Sequence, residues 1–71
     1  MGERRVFHIV PHTDGGWAVK ETGSPLPIIA FHSKDAAVSF AQNLAEINRP
    51  SKIIVYKRDK TVERESEYQV D

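Results

Sequence analysis

The chain has no cysteine among its 71 residues, so one small apolar core must hold its fold together. A domain of this size buries only about 60% of the surface that its unfolded chain exposes. Disulfides and thiolate-bound metals, which stabilise many small domains, are excluded by the composition. We therefore expect a single domain over residues 1–71, for which association with a further copy is the remaining way to bury more apolar surface.

Two runs of β-branched and aromatic residues flank a turn signal near the start of the chain. Residues 5–11 and 17–22 have the composition of strands, and the glycines between them are typical of a hairpin turn. A three-residue loop over 13–15 puts Gly15 at the position that needs a positive φ. A two-residue turn at Asp14-Gly15 is the alternative, and it would exchange the two faces of the first strand. We favour the three-residue loop, which pairs Ile9 with Val19 and places on one face Phe7, Ile9, Trp17 and Val19.

One helix follows the hairpin. The prolines within 25–27 cannot donate ladder hydrogen bonds, so residues 28–31 are expected to form a short strand at an edge of the sheet. Ser33 is a suitable N-cap for a helix that runs to about Ile47, because apolar residues recur at helical spacing between them. Pro50 prevents the helix from continuing.

Two further strands complete the predicted fold. Residues 53–56 form a strand, 57–60 a charged turn and 61–64 a weak last strand, whereas the polar residues 65–71 are expected to form a flexible tail. The order β-β-β-α-β-β predicts an α+β, two-layer domain in which one helix packs on one face of an antiparallel sheet.

Several segments of the hairpin and of the helix start have a distinctive sequence. These segments are His8-Ile9-Val10-Pro11, Asp14-Gly15-Gly16-Trp17-Ala18-Val19-Lys20, Phe31, Ser33-Lys34 and Ala36-Ala37. On these residues the chain resembles a small prokaryotic family of domains of unknown function, the 2188 type, over about residues 6–66. The resemblance implies a prokaryotic source and the same order of strands and helix, and it brings no assigned activity.

A looser resemblance concerns Trp17-Ala18-Val19-Lys20, Phe31-His32-Ser33 and the alanine-rich helix. These segments are similar to the three-strand-and-helix DNA-binding modules of the plant AP2 type and of phage-integrase arm-binding domains. In such modules the sheet lies in the major groove and presents several arginines. Here Lys20 is the only basic residue between Trp17 and Phe31, so most base-reading positions of those modules are missing.

The candidate catalytic and metal-binding residues form no recognisable pattern. His8 and His12 are four strand residues apart, about 13 Å at ~3.3 Å per residue, which is too far for one metal ion. His32 lies on a different element. No serine lies in a nucleophile elbow, and the paired glycines precede a strand rather than a phosphate-binding helix. We therefore expect no enzymatic activity, no catalytic residue, no metal, no cofactor and no small-molecule substrate.

Two features concern the location of the protein. The longest apolar run near the middle, 26–31, has six residues, whereas a membrane-spanning helix needs about 20. Residues 1–5 lead into a strand pattern without the apolar stretch of an export signal. Together with the lack of cysteine, these features predict a cytoplasmic protein without a membrane segment.

The sheet face opposite the helix motivates the main functional hypothesis. Its residues are too apolar for a face that is simply solvated, which indicates a partner surface. We expect a non-enzymatic interaction module that forms a homodimer through this sheet face or a sheet edge. Cover by the C-terminal strand or tail is the alternative explanation. The expected interaction residues are Val6, His8, Val10, Ala18, Ile54 and Tyr56.

Charge patterning provides the second hypothesis. Ten basic and ten acidic residues cancel, which argues against strong non-specific binding to nucleic acid. A local basic patch on the sheet could nevertheless contact phosphates, so a nucleic-acid-binding domain is the alternative function. The expected contacts to nucleic acid are Lys20, Lys57, Arg58 and Lys60.

Overall fold

The computed structural model describes residues 4–70 and contains five strands and one helix in that range. The N-terminal residues 1–3, on which the export expectation partly rests, and residue 71 lie outside it. The elements are β1 (Arg5–Pro11), β2 (Trp17–Glu21), β3 (Ile29–Phe31), α1 (Lys34–Ile47), β4 (Ser51–Tyr56) and β5 (Val62–Tyr68).

The strands form one mixed sheet in the order β3-β2-β1-β4-β5. The chain is therefore α+β, as predicted, and β3 lies at an edge. The expectation of a purely antiparallel sheet is wrong, because β1 and β4 are parallel. Their direction follows from the connections: β3 runs in the same direction as β1, α1 returns the chain, and β4 then starts at the end of the sheet where β1 starts.

The predicted hairpin register is confirmed. Ile9 pairs with Val19. The His12 N–H donates to the Gly16 carbonyl at 2.9 Å, and the Gly15 N–H donates to the His12 carbonyl at 3.1 Å. These bonds close the three-residue loop, and Gly15 has a φ of 83°. A residue without a Cβ adopts this conformation at little cost.

The helix begins after Ser33 and ends at Ile47, as predicted. The Ser33 side chain accepts a hydrogen bond from the Ala36 N–H at 3.3 Å. At the other end, the Asn48 N–H donates to the Leu44 carbonyl at 3.1 Å. With 14 residues, α1 is too short to cross a bilayer, and no helix within 4–70 is long and apolar enough to do so.

The core lies between α1 and one face of the sheet. The helix presents a stripe of small side chains, which lets its backbone approach the strands closely. The predicted face residues of β1 and β2 are buried against this stripe together with two residues of β4. The buried core residues are Phe7, Ile9, Trp17, Val19, Ile53, Val55, Ala37, Ala41 and Ala45.

The last strand is longer than its composition suggests. The sequence predicts a strand that ends at Arg64 and a flexible tail from Glu65, but β5 continues to Tyr68. This prediction of the strand end is wrong because charged side chains of β5 bind neighbouring side chains. Glu65 lies 2.7 Å from the Lys52 ammonium, and Tyr68 packs against the core at the strand end.

We expect Gly16→Ala to destabilise the protein by about 1–3 kcal/mol, as overpacking does. A Cβ at this position would lie 2.4 Å from the Phe31 carbonyl oxygen, which belongs to the backbone and cannot rotate away. Urea unfolding monitored by circular dichroism measures the effect. Gly15→Asn is the matched control, because a Cβ there meets nothing within 4 Å and asparagine tolerates a positive φ. Equal stabilities for Gly16→Ala and the wild type would contradict the close approach.

We expect Trp17→Ala to cost about 3–5 kcal/mol, enough to abolish a cooperative unfolding transition in a domain this small. The Trp17 side chain is 6% exposed and belongs to the core. Trp17→Phe keeps an aromatic ring and should retain the transition at a lower midpoint. A normal melting curve for the alanine variant would show that the ring is not in the core.

Candidate interaction surface

The sheet face turned away from α1 is called the second face below. Directly paired residues of neighbouring strands point to the same side of a sheet, and successive residues alternate. The buried core residues point toward α1. The residues that alternate with them along each strand therefore point away from α1 and form the second face. All six predicted interaction residues lie there: Val6, His8, Val10, Ala18, Ile54 and Tyr56. Ala18 is buried among its neighbours, and the other five are half-buried.

Three rows of side chains run across the second face. The upper row is apolar: Val10 pairs with Ala18, Tyr56 follows next to it on β4, and Tyr56 pairs with Val62. The middle row joins Lys20, His8, Ile54 and Glu65 through directly paired positions. The lower row contains Val6, Lys52 and Glu67. The parallel pairing of β1 and β4 produces these rows.

His8 is held by hydrogen bonds at both ring nitrogens. Its Nδ1 lies 3.0 Å from the Tyr56 hydroxyl, and its Nε2 lies 2.6 Å from the Thr22 hydroxyl. Burial, and after it the charge of Lys20, lowers the pKa of His8. The neutral ring is therefore favoured, with one nitrogen as donor and the other as acceptor.

The Thr22–His8–Tyr56 chain lacks an essential part of a catalytic triad. A hydroxyl beside an imidazole is the first half of a nucleophile–base pair. In such triads a carboxylate stabilises the imidazolium that forms when the base takes the proton. Here Tyr56 occupies that position, and Lys20 disfavours the positive charge. The arrangement fixes the orientation of the His8 ring and satisfies its polar atoms.

Thr22 is the residue of this cluster that sequence reasoning missed. The register of the hairpin contains the signal, because pairing of Ile9 with Val19 puts Thr22 opposite Val6, beside His8 on the same face. The Thr22 N–H indeed donates to the Val6 carbonyl at 3.0 Å. The contact between His8 and Tyr56 depends on the unpredicted parallel pairing, so the sequence carried no comparable signal for it.

The structure divides the four predicted nucleic-acid contacts into separate places. Lys20 and Lys60 line one shallow cavity of about 380 Å³, together with Tyr56. Arg58 instead lies over the Trp17 ring, 4.4 Å from its centroid, and donates to the backbone carbonyls of the hairpin loop. Lys57 is exposed in the turn before β5. The four cations therefore do not form one patch.

Charged side chains lie at both sides of the second face. On β5, Glu65 contacts Lys52 at 2.7 Å and Glu67 contacts Arg4 at 3.0 Å. On β2, Lys20 has no acidic partner within 4 Å in the described part of the chain. Within residues 4–70, no three histidine, aspartate or glutamate side chains are grouped as a metal site would require.

We expect the pKa of the His8 imidazole, measured by NMR of its ring signals, to lie below 6.5. Lys20→Gln should raise it because the neighbouring charge is removed, while burial keeps it below the ordinary value. The control Lys60→Gln should leave it unchanged. Because the unfolded chain binds the proton more readily, the stability contributed by neutral His8 is complete above pH 6.5 and is lost as the pH falls through the lower, folded-state pKa. A His8 pKa at or above 6.5 would contradict the burial of the ring.

The comparisons with known proteins support the first of the two resemblances. The chain is 36% identical over 63 residues to the uncharacterized protein YycD of Bacillus subtilis (strain 168). The matched segment covers 87% of this chain and 94% of that protein. No solved structure matches the chain. The similarity to AP2-type and integrase arm-binding modules stays a prediction. A family model described as "Uncharacterized protein conserved in bacteria (DUF2188)" matches residues 7–68, and the chain belongs to this family.

Proposed function

We propose that this protein is a non-enzymatic, cytoplasmic interaction module that self-associates through the second face. In this proposal the helix and the sheet form two layers, and a second copy covers the open side of the sheet. The observation that carries it is the upper row of the second face, where Ala18, Val10, Tyr56 and Val62 are contiguous. Antiparallel strands that face water normally carry polar residues outward.

The polar groups of the second face are compatible with burial in an interface. Covering a polar atom that lacks a hydrogen bond costs about 1–3 kcal/mol. Both nitrogens of His8 and the hydroxyl of Tyr56 already have partners within the chain. A second copy could therefore exclude water from this region without supplying new hydrogen bonds.

The size of the second face predicts a weak dimer. Four strands spaced at about 4.8 Å, with five to seven residues at about 3.3 Å each, give a face of roughly 400 Å². Two such faces together have a projected area of roughly 800 Å², which places the contact toward the small end of protein interfaces. We therefore expect dissociation in the micromolar range or above, rather than a permanent dimer.

The sheet edges are less suited to self-association than the second face. The edge strand β3 has three residues. In a two-fold antiparallel pairing of β5 with itself, residues of the same face meet. A pairing centred on Glu65 puts the Glu65 residues of the two copies opposite each other, and a pairing centred on Ser66 puts Glu65 opposite Glu67. A pairing centred on Arg64 puts the two Arg64 residues opposite each other. Like charges directly opposite each other destabilise such pairs.

We expect sedimentation velocity over a range of micromolar concentrations to show a dimer that forms with increasing concentration. Val10→Glu introduces a charge into the upper row and should keep the protein monomeric with an unchanged circular dichroism spectrum. Ile47→Glu is the control, because Ile47 is 79% exposed at the end of α1, away from the second face. A wild type that stays monomeric at high micromolar concentration would contradict the proposal.

The same experiment with a mixed pool of oligonucleotides tests the alternative function. We expect the mass of the protein species to be unaffected by the pool. A mass increase that needs the pool, and that is lost at high salt, would favour nucleic-acid binding and overturn the proposal. In that case Lys20 and Lys60, which flank Tyr56, would be the first residues to replace.

A further inference from the structure

We infer that two copies pack face to face around a two-fold axis that runs parallel to the strands, between β1 and β4, so that Lys20 of each copy meets Glu65 of the other. This inference rests on the proposed function and specifies the geometry of the interface. Its starting point is the middle row, in which Lys20, His8, Ile54 and Glu65 occupy successive strands in register.

Two arrangements of the axis keep the strands of the two copies aligned. An axis that lies between the two sheets and runs across the strands places each strand over the same strand of the second copy. The glutamates of β5 would then face the glutamates of the second copy, and Lys20 would lie on the same side as the other Lys20. An axis parallel to the strands exchanges the two sides of the sheet and keeps each row over itself. When it lies between β1 and β4, β2 faces β5.

The charges of the middle row favour the axis parallel to the strands. Lys20 then lies over Glu65 of the second copy, and this contact occurs twice. Lys20 has no acidic partner within 4 Å among residues 4–70, whereas Glu65 has only the Lys52 ammonium at 2.7 Å. Sheets that pack face to face are about 10 Å apart, which an extended lysine and an extended glutamate can bridge. Each Glu65 carboxylate would then lie between two ammonium groups.

The uncharged residues of the upper and middle rows fit the same arrangement. In the upper row Val10 faces Tyr56 of the second copy, and Ala18 faces Val62, so that apolar residues meet apolar residues. In the middle row His8 faces Ile54. Packed sheets are usually rotated by about 30° relative to each other, and the long side chains of Lys20 and Glu65 can follow the displacement that this rotation causes at the ends of the middle row.

Charge reversal tests this geometry. Lys20→Glu alone brings two glutamates together at both contacts, and Glu65→Lys alone brings two lysines together. We expect each single variant to dissociate about tenfold more readily than the wild type. A mixture of the two variants restores an opposite-charge pair at both contacts. We therefore expect the mixture to form heterodimers with an affinity within about threefold of the wild type. Native mass spectrometry with one variant labelled with ¹⁵N identifies the mixed species.

The controls separate the geometry from the folding and from the proposed function. Arg64→Glu reverses a charge on the same strand but on the side of α1, opposite Val55, and should leave dimerisation unchanged. Circular dichroism melting of each variant checks that it folds. Two results would overturn the geometry. One is that both single variants dimerise as tightly as the wild type, and the other is that the mixture of the two variants does not associate. A monomeric wild type would overturn the proposed function together with it.

Discussion

The parallel pairing of β1 with β4 determines both faces of the sheet. On the side of α1 it places Ile53 and Val55 beside Phe7 and Ile9, which completes the buried core. On the second face it places Ile54 beside His8 and lets the Tyr56 hydroxyl reach the imidazole. Without this pairing, the two hairpins β1–β2 and β4–β5 would each expose an edge, and neither could bury its apolar side alone.

The two faces differ in the way their polar groups are satisfied. Among residues 4–70, the face under α1 contains one buried polar side chain, Ser51, which donates to the Ala45 carbonyl at 2.7 Å. The second face contains His8, but the neighbouring hydroxyls of Thr22 and Tyr56 bind both of its nitrogens. The polar atoms in the middle of this face therefore need neither water nor a partner. The lysines and glutamates at its sides remain the groups that can distinguish one partner from another.

Local signals were sufficient for the hairpin loop, the helix and the core face. Gly15 marks the loop because its φ is positive, and Ser33 marks the helix start because its side chain caps the Ala36 N–H. The partner of β4 depends on contacts between distant segments, so the contact between His8 and Tyr56 could not be read from the sequence. The polar composition of β5 concealed a strand, because its glutamates bind cations of other segments rather than water.

The net charge of zero conceals an ordered distribution of charge. Along the chain the basic residues from 52 to 60 precede the acidic residues from 61 to 71. The sheet places Glu65 and Glu67 at the β5 side of the second face and Lys20 at the β2 side. A half-turn about an axis along the strands would bring the Lys20 ammonium at one side of this face over the Glu65 carboxylate at the other side. The same glutamates repel one another when β5 edges pair, so this distribution disfavours growth of the sheet through that edge.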